Sequence, residues 1–304
     1  MTKIFIGMPA YNGERFISQA IESLIGQTYT DWVMLISDDT SKDRTQAICE
    51  EYARKDARIK YIKQEKNLGL FANFKFTLDR GDSEYFMWAA QDDMWEKDYL
   101  QTCVEYLEKD KGIGVATTCN KTIDSFGRTV LESPWMVNLS GKPSYMQVAR
   151  YVLEPEGFGK NNLLYVLYRT EAAKAIWQAY PQRRVWGQDY HIGLAAISRF
   201  GVMVDPKMLF KKRLGGYSSP QLSLTNRQNQ VTEMGFVNPE KNQMFPFGRF
   251  KSYFGGHMEA LRGTPYRPLT ALLLLIRLPR AFIIHVKERS LKSFIKRIFT
   301  KKAS

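Results

Sequence analysis

Two pairs of adjacent carboxylates are the residues of this 304-residue chain best suited to chemistry. Asp38-Asp39 follows the apolar run Trp32–Ser37, and Asp92-Asp93 follows the apolar run Tyr85–Trp88. Neighbouring carboxylates at strand ends repel, and a divalent cation, a ribose or a nucleobase donor offsets that repulsion. The competing reading is that one aspartate of a pair caps the next turn. That reading suffices for a single pair, whereas two pairs at equivalent strand ends favour a ligand site. Other chemistries are poorly supplied. Cys49, Cys103 and Cys119 lie far apart with no C-x-x-C pair, which argues against a disulfide framework or zinc ribbon and for a reducing compartment. His191, His257 and His285 share no metal-ligand spacing.

The elements that must position these acids alternate. Lys3–Met8, Trp32–Ser37, Arg58–Ile62, Tyr85–Trp88 and Ile113–Thr118 are short apolar runs that read as strands. Glu14–Ile25, Asp43–Arg54, Leu70–Leu78 and Lys97–Lys109 carry apolar residues at helical spacing. Strand and helix in alternation imply βαβ crossovers and a mainly parallel sheet. Ligands of such sheets sit at the carboxyl ends of the strands. The segments Pro9–Asn12, Ser37–Asp43, Asn67–Gly69 and Gln91–Trp95 all fall there, so one cleft can gather them.

After about residue 120 the alternation weakens. Asp124–Gly127 reads as a hairpin turn, Asn162–Tyr168 as a strand, and a helix starts at Glu171. Asp189–Arg199 is helical, and Gly201–Val204 and Met208–Arg213 read as two strands. Gly215–Asn242 is polar and reads as loop. No internal repeat is present.

Five segments now combine: Pro9-Ala10-Tyr11-Asn12, Gln27-Thr28-Tyr29, Ser37 to Thr45, Asn67-Leu68-Gly69, and Gln91-Asp92-Asp93-Met94-Trp95. In this order and spacing the chain closely resembles the family 2 glycosyltransferases of GT-A fold, over roughly residues 3–215. The resemblance implies an α/β fold: a mostly parallel central sheet flanked by helices, with a helical C-terminal extension. It implies a catalytic domain over 1–215, with a nucleotide-binding part to about 120 and an acceptor part beyond it. A loop and helix extension over 216–264 and a basic tail over 265–304 follow.

The resemblance also implies roles. Pro9, Tyr11 and Asp39 hold the nucleobase, with Asp38 beside them and Asn67 lining the nucleotide pocket. Asp92 and Asp93 stand where the family's D-x-D motif ends, one holding ribose or sugar and the other Mg²⁺ or Mn²⁺ at the diphosphate. The first acid of that motif is Ala90 here, and Gln91 sits between. In Trp186-Gly187-Gln188-Asp189, Asp189 matches the family's catalytic base and Gln188 departs from the usual acid before it. An acceptor hydroxyl needs such a base as it attacks the anomeric carbon, and a helix N-terminus stabilises the carboxylate. The alternative is a capping acid. Arg213 is a candidate phosphate contact, against the reading that Lys211-Lys212-Arg213 are solvated edge-strand charges. The implied reaction is a single displacement that inverts the anomeric centre. The implied donor is a UDP- or dTDP-sugar, and the acceptor is a glycan or lipid-linked glycan in cell-surface polysaccharide synthesis. A catalytically silent nucleotide-sugar-binding scaffold is the competing class, prompted by Ala90 and Gln188.

The charge is uneven. The chain carries +13, and nine of its 44 Lys/Arg against one of its 31 acids lie in 269–304. In Lys287–Lys302 the apolar Leu291, Phe294, Ile295, Ile298 and Phe299 share a face among lysines and arginines. That is the pattern of a helix on an anionic membrane surface, or of one docked on protein. The expected location is cytoplasmic, peripheral on the inner face of the cell membrane. The run Leu269–Val286 is interrupted by Arg277, Pro279 and Arg280, which disfavours a transmembrane helix. The basic run has no reader motif for nucleic acid. A homo-oligomer is left open.

Overall fold

The computed structural model describes residues 2–153, 160–179, 188–213 and 247–276. Its first strand, β1 (Ile4–Ala10), is buried along its whole length. A continuous apolar run such as Ile4-Phe5-Ile6-Gly7-Met8 suits a central parallel strand covered on both faces. Parallel partners flank it: β2 (Trp32–Asp38) on one side and β4 (Tyr85–Trp88) on the other, with β3 (Ile59–Lys63) beyond β2. Beyond β4 the sheet turns mixed. There β8 (Leu167–Arg169) runs antiparallel to β4 and to β6 (Ile113–Ile123), while β9 (Gly201–Arg213) runs parallel to β6. Two short strands complete it: β5 (Met94–Trp95) on β9 and β7 (Thr129–Ser133) on β6. Among the described residues the path is β3-β2-β1-β4-β8-β6-β9-β5, with β7 off it.

Side-chain alternation along the strands divides the interior into two cores. Ile4, Ile6 and Met8 of β1 and Tyr85 and Met87 of β4 face helices α1 (Ile17–Ile25), α2 (Thr45–Lys55) and α4 (Tyr99–Lys109). Phe5, Phe86 and Trp88 face α3 (Leu70–Asp79) and later helices. In α1 the buried residues Ile17, Ala20, Ile21 and Leu24 repeat at three and four, the stripe read from the sequence. Trp88 and Trp95 serve packing: Trp88 lies against Phe74, Phe86, Tyr168 and Trp177, and Trp95 stacks on Phe210. The three cysteines are free and buried.

The structure corrects the sequence reading in its second half. Asn162–Tyr168 is not one strand. Lys160–Leu164 forms a 3-10 turn, and only Leu167–Arg169 reaches the gap between β4 and β6 where it can pair. The strands expected at Gly201–Val204 and Met208–Arg213 are one strand, β9. Its register on β6 slips between Thr118 and Cys119, so the exposed Pro206 sits in a bulge that asks for no ladder N–H. A helix not anticipated, α5 (Tyr145–Leu153), buries Val148, Tyr151 and Val152 at the spacing of one helical face. It is followed by α6 (Thr170–Ala179) and α7 (Gln188–Arg199). The expected loop over Gly215–Asn242 and the amphipathic pattern over Lys287–Lys302 lie outside the described residues.

The helix Phe247–Ala260 is not a separate appendage. Met258, Ala260, Leu261 and Leu274 share a core with Ile192, Leu194 and Ala195 of α7. Gly256 permits the contact, since a Cβ there would stand 2.0 Å from Cε1 of His191. Residues 267–276 form a further helical segment, whose Leu272, Leu275 and Ile276 are exposed. Among the described residues no helix is long and apolar enough to cross a membrane.

Two outcomes are expected. Gly256→Ala overpacks the seam with His191 and lowers unfolding free energy by about 1–3 kcal/mol in a urea titration. An unchanged midpoint would contradict the docking. Burial also lowers the His191 imidazole from 6.5 to about 4. Between those values the unfolded chain binds the proton and the folded chain does not, so stability falls as pH drops from about 6.5 toward about 4. His191→Gln removes that component, and urea midpoints across the same window should decline less steeply than in the parent.

Candidate active site

The loops after β1 and β2 are locked to each other. The Asn12 N–H donates to Ser41 Oγ at 2.9 Å, the Lys42 N–H to Asn12 Oδ1 at 2.8 Å, and the Gly13 N–H to Thr45 Oγ1 at 2.7 Å. Asn12 and Thr40 hold left-handed backbone, with φ of 48° and 62°. That conformation is unusual for a β-branched residue such as Thr40 and marks a loop held by its surroundings. Asp38 organises this loop from within. One of its oxygens accepts from the Ser41 N–H (2.8 Å) and Ser41 Oγ, the other from Tyr61 Oη (2.8 Å), and the residue is fully buried. Asp39 turns to the neighbouring loop, where its two oxygens accept from the amides of Leu68 (2.6 Å) and Gly69 (2.9 Å). Gly69 has φ of 82°, a backbone conformation that glycine adopts without strain. Burial raises the Asp39 carboxyl, and the two amides pull it back. Asn67 is exposed and donates to the Asp39 carbonyl at 3.3 Å. Pro9 is buried within β1, beside Ser37 in register.

The acidic loop after β4 is tied to the end of β1 by Gln91. Its Oε1 accepts from the Tyr11 N–H and its Nε2 donates to the Tyr11 carbonyl, both at 2.9 Å. Gln27 holds the far side, donating to the Glu96 carbonyl and accepting from the Leu100 N–H, each at 2.9 Å. β9 then returns along β5, with Met94 opposite Lys211 and Trp95 opposite Phe210. That register delivers the last two residues of β9 to the acids. Asp93 is fully buried; its Oδ1 accepts from the Arg213 N–H at 2.8 Å, and its Oδ2 lies 3.2 Å from the Lys212 ammonium. The Arg213 guanidinium donates to the carbonyls of Asp92 (2.9 Å) and Asp124 (3.0 Å) and to Gln19 Oε1 (2.7 Å). Arg213 is buried, not a solvated edge charge, and its donors hold the loop in place.

Asp189 enters from the first turn of α7, where it accepts from the Tyr190 N–H at 3.0 Å. Tyr151 braces this end of the helix by donating to the Tyr190 carbonyl at 2.7 Å. Tyr165 connects the two halves. The Lys212 ammonium lies 4.5 Å from the centroid of its ring, and Phe74 meets that ring edge-on at 6.3 Å. Burial raises the Tyr165 phenol; Lys212 opposes this, and Asp93, Asp92 and Asp189 add to it. Burial also raises the Asp93 carboxyl against the pull of Lys212. It would lower the Lys212 ammonium, but Asp93, Tyr165 and Asp92 outweigh it and raise that group.

The divalent cation implied at Asp92-Asp93 meets an unfavourable donor set. Both oxygens of Asp93 already accept from protein donors, and the motif's first acid is Ala90. Among the described residues, no three His, Cys, Asp or Glu side chains gather into a metal-holding group. A cation bound through both aspartates does not fit this arrangement.

The sequence model of glycosyl transferase family 2 matches residues 5–173, more than half of the chain. The chain belongs to glycosyl transferase family 2. This family 2 chain is 31% identical over 107 residues to WfgD of Escherichia coli, a UDP-Glc:α-D-GlcNAc-diphosphoundecaprenol β-1,3-glucosyltransferase, covering 35% of this chain and 42% of that one. It spans less than half the length of the curated relatives it matches first. Its fold is shared with TarS of S. aureus, residues 1–349, with a TM-score of 0.58 and 17% identity over 95% of this chain and 91% of that one. TarS has also been solved with UDP and with UDP-GlcNAc. PcManGT, a mannosyltransferase from Pyrobaculum calidifontis solved with GDP-Man and Mn²⁺, aligns with a TM-score of 0.53 and 14% identity over 95% and 80%. These likenesses establish the GT-A architecture.

Pro9, Tyr11, Asp38, Asp39, Asn67, Asp92 and Asp93 thus lie at or beside the carboxyl ends of β1, β2 and β4. The Asp39 N–H donates to the Ala10 carbonyl at 2.8 Å, one residue before the Tyr11 that Gln91 holds. Sequence reasoning did not single out Gln91, Tyr165 or Lys212. A glutamine inside an acidic motif was the available signal for the first. Tyr165 had none beyond its type, and Lys212 was visible only as a member of the basic run Lys211-Lys212-Arg213. Gln91→Leu removes both bonds to Tyr11 and is expected to cost about 1–3 kcal/mol of stability in chemical denaturation. A loss below ~0.3 kcal/mol would show that the clamp contributes little.

Proposed function

We propose that the chain is an inverting glycosyltransferase. It moves a sugar from a nucleoside-diphosphate donor to a hydroxyl of a glycan or lipid-linked glycan in cell-surface polysaccharide synthesis. The observation that carries this reading is the convergence of the loops after β1, β2 and β4, where Gln91 ties the acidic loop to Tyr11 and Asn12 ties that end of β1 to Ser41. A donor lying along the strand ends has its base near Asp39 and its sugar near Asp92. In this reading Asp189, in the first turn of α7, serves the acceptor hydroxyl.

In the proposed reaction, the acceptor oxygen bonds to the anomeric carbon as the bond to the diphosphate oxygen breaks. Asp189 takes the hydroxyl proton, and the nucleoside diphosphate leaves with the bonding pair. The α7 N-terminus favours the anionic form of Asp189 before the step. Pro9 and Tyr11 shape the base pocket, and Asn67 edges it. Asp38 braces the Asp39 loop, and Arg213 holds the acidic loop in register. The complexes of TarS with UDP and UDP-GlcNAc and the lipid-linked acceptor in the name of WfgD support the donor and acceptor classes. Exposed Leu272, Leu275 and Ile276, directly before the basic run, support a peripheral position on an anionic membrane.

The competing reading, a silent nucleotide-sugar-binding scaffold, is favoured by Ala90 and Gln188. Release of nucleoside diphosphate from a panel of nucleotide sugars separates the two. Asp189→Asn is expected to lower turnover by about 10²–10⁴-fold while donor-induced thermal stabilisation is kept. Equal turnover in parent and variant would remove Asp189 from the chemistry. Donor binding with no turnover in either would establish the scaffold.

A further inference from the structure

We propose that Lys212 is the built-in counter-charge for the donor diphosphate, so that the nucleotide binds without a divalent cation. This rests on the nucleotide-sugar reading above. Backbone pairing fixes its place: Lys212 lies opposite Thr122 of β6, next to the pair that β5 makes with Lys211. The ammonium therefore arrives at Asp93 through strand register and does not depend on a loop. Its side chain keeps 23% of its exposure while Asp93 keeps 0%, so of the two partners only the lysine has surface left. An ammonium has three donors. Asp93 takes one and the Tyr165 face lies against the group, leaving donors for a phosphate oxygen.

The neighbouring groups strengthen the assignment. Arg213, the other cation at this strand end, has its guanidinium engaged by Asp92, Asp124 and Gln19. Asp92, Asp93, Lys212 and Arg213 together carry no net charge, so the carboxylates need no metal to neutralise them before a diphosphate approaches. A cation at Asp93 would have to reach a fully enclosed carboxylate whose two oxygens already face the Lys212 ammonium and the Arg213 N–H. The departing diphosphate thus finds a cation fixed in place beforehand, as electrostatic stabilisation requires.

The test is isothermal titration of the full chain with UDP and with dTDP, in EDTA and in Mn²⁺. Affinity is expected to differ by less than about threefold between the two buffers. Lys212→Met should weaken it by about tenfold to a hundredfold in both, and Lys212→Arg should retain most of it. Thermal unfolding confirms that each variant folds. If Lys212→Met unfolds because Asp93 is left without its partner, the Asp93→Asn/Lys212→Met double variant removes that burden and should show the same loss. Binding that appears only with Mn²⁺, or a folded Lys212→Met or double variant that binds like the parent, would overturn the proposal. No binding of UDP, dTDP or any other nucleoside diphosphate in either buffer would instead remove the nucleotide-sugar reading, and this inference with it.

Discussion

The return of β9 onto the acidic loop is the constraint on which the site depends. Two adjacent aspartates after a strand repel, and one of them here is fully buried. The Arg213 N–H and the Lys212 ammonium hold Asp93, and the Arg213 side chain holds the carbonyl of Asp92. Removing one partner of a buried ion pair costs more than the pair contributes, because a charge is left without solvent or partner. The residues around Asp93 are therefore coupled: β5, the end of β9 and the acidic loop hold position together. On the opposite side Gln91 fastens the same loop to the end of β1.

A second set of constraints shapes the β2 end. Asp38 and Asp39 are adjacent but point to different tasks. Asp38 closes its own turn through Ser41 and Tyr61, and Asp39 bridges to the amides of Leu68 and Gly69. Left-handed backbone at Thr40 lets the chain turn sharply between these two tasks. Both acids of the pair are buried, and each fastens one of the loops that meet here. Asp92-Asp93 differs from it, with Asp93 enclosed and Asp92 half-buried.

The second half of the molecule supplies Asp189 from α7 and Tyr165 from the bend before β8. Tyr151 of α5 fastens the start of α7, and the helix Phe247–Ala260 closes over His191. The position of the proposed base therefore depends on contacts from residues about 40 and 60 positions away in the chain. An extension that looks peripheral in the sequence takes part in the core that seats α7.

The sequence by itself determined the parallel half of the fold and the aspartates of the site. Apolar runs of strand length, helical spacing such as Ile17, Ala20, Ile21 and Leu24, and acids just past the strand ends are local patterns, and local patterns survive without a structure. It determined less where pairing is non-local. The bulge at Pro206 that joins two runs into β9, the short β5 and the 3-10 turn before β8 each depend on a partner strand far along the chain. Tertiary structure alone decided which carboxylates are enclosed and which are open. It also decided that Arg213 is a brace, while Lys212 stands beside Asp93 with part of its side chain exposed. Those outcomes follow from the register of β9 against β5 and β6, and register is a property of two segments at once. No reading of either segment alone contains it.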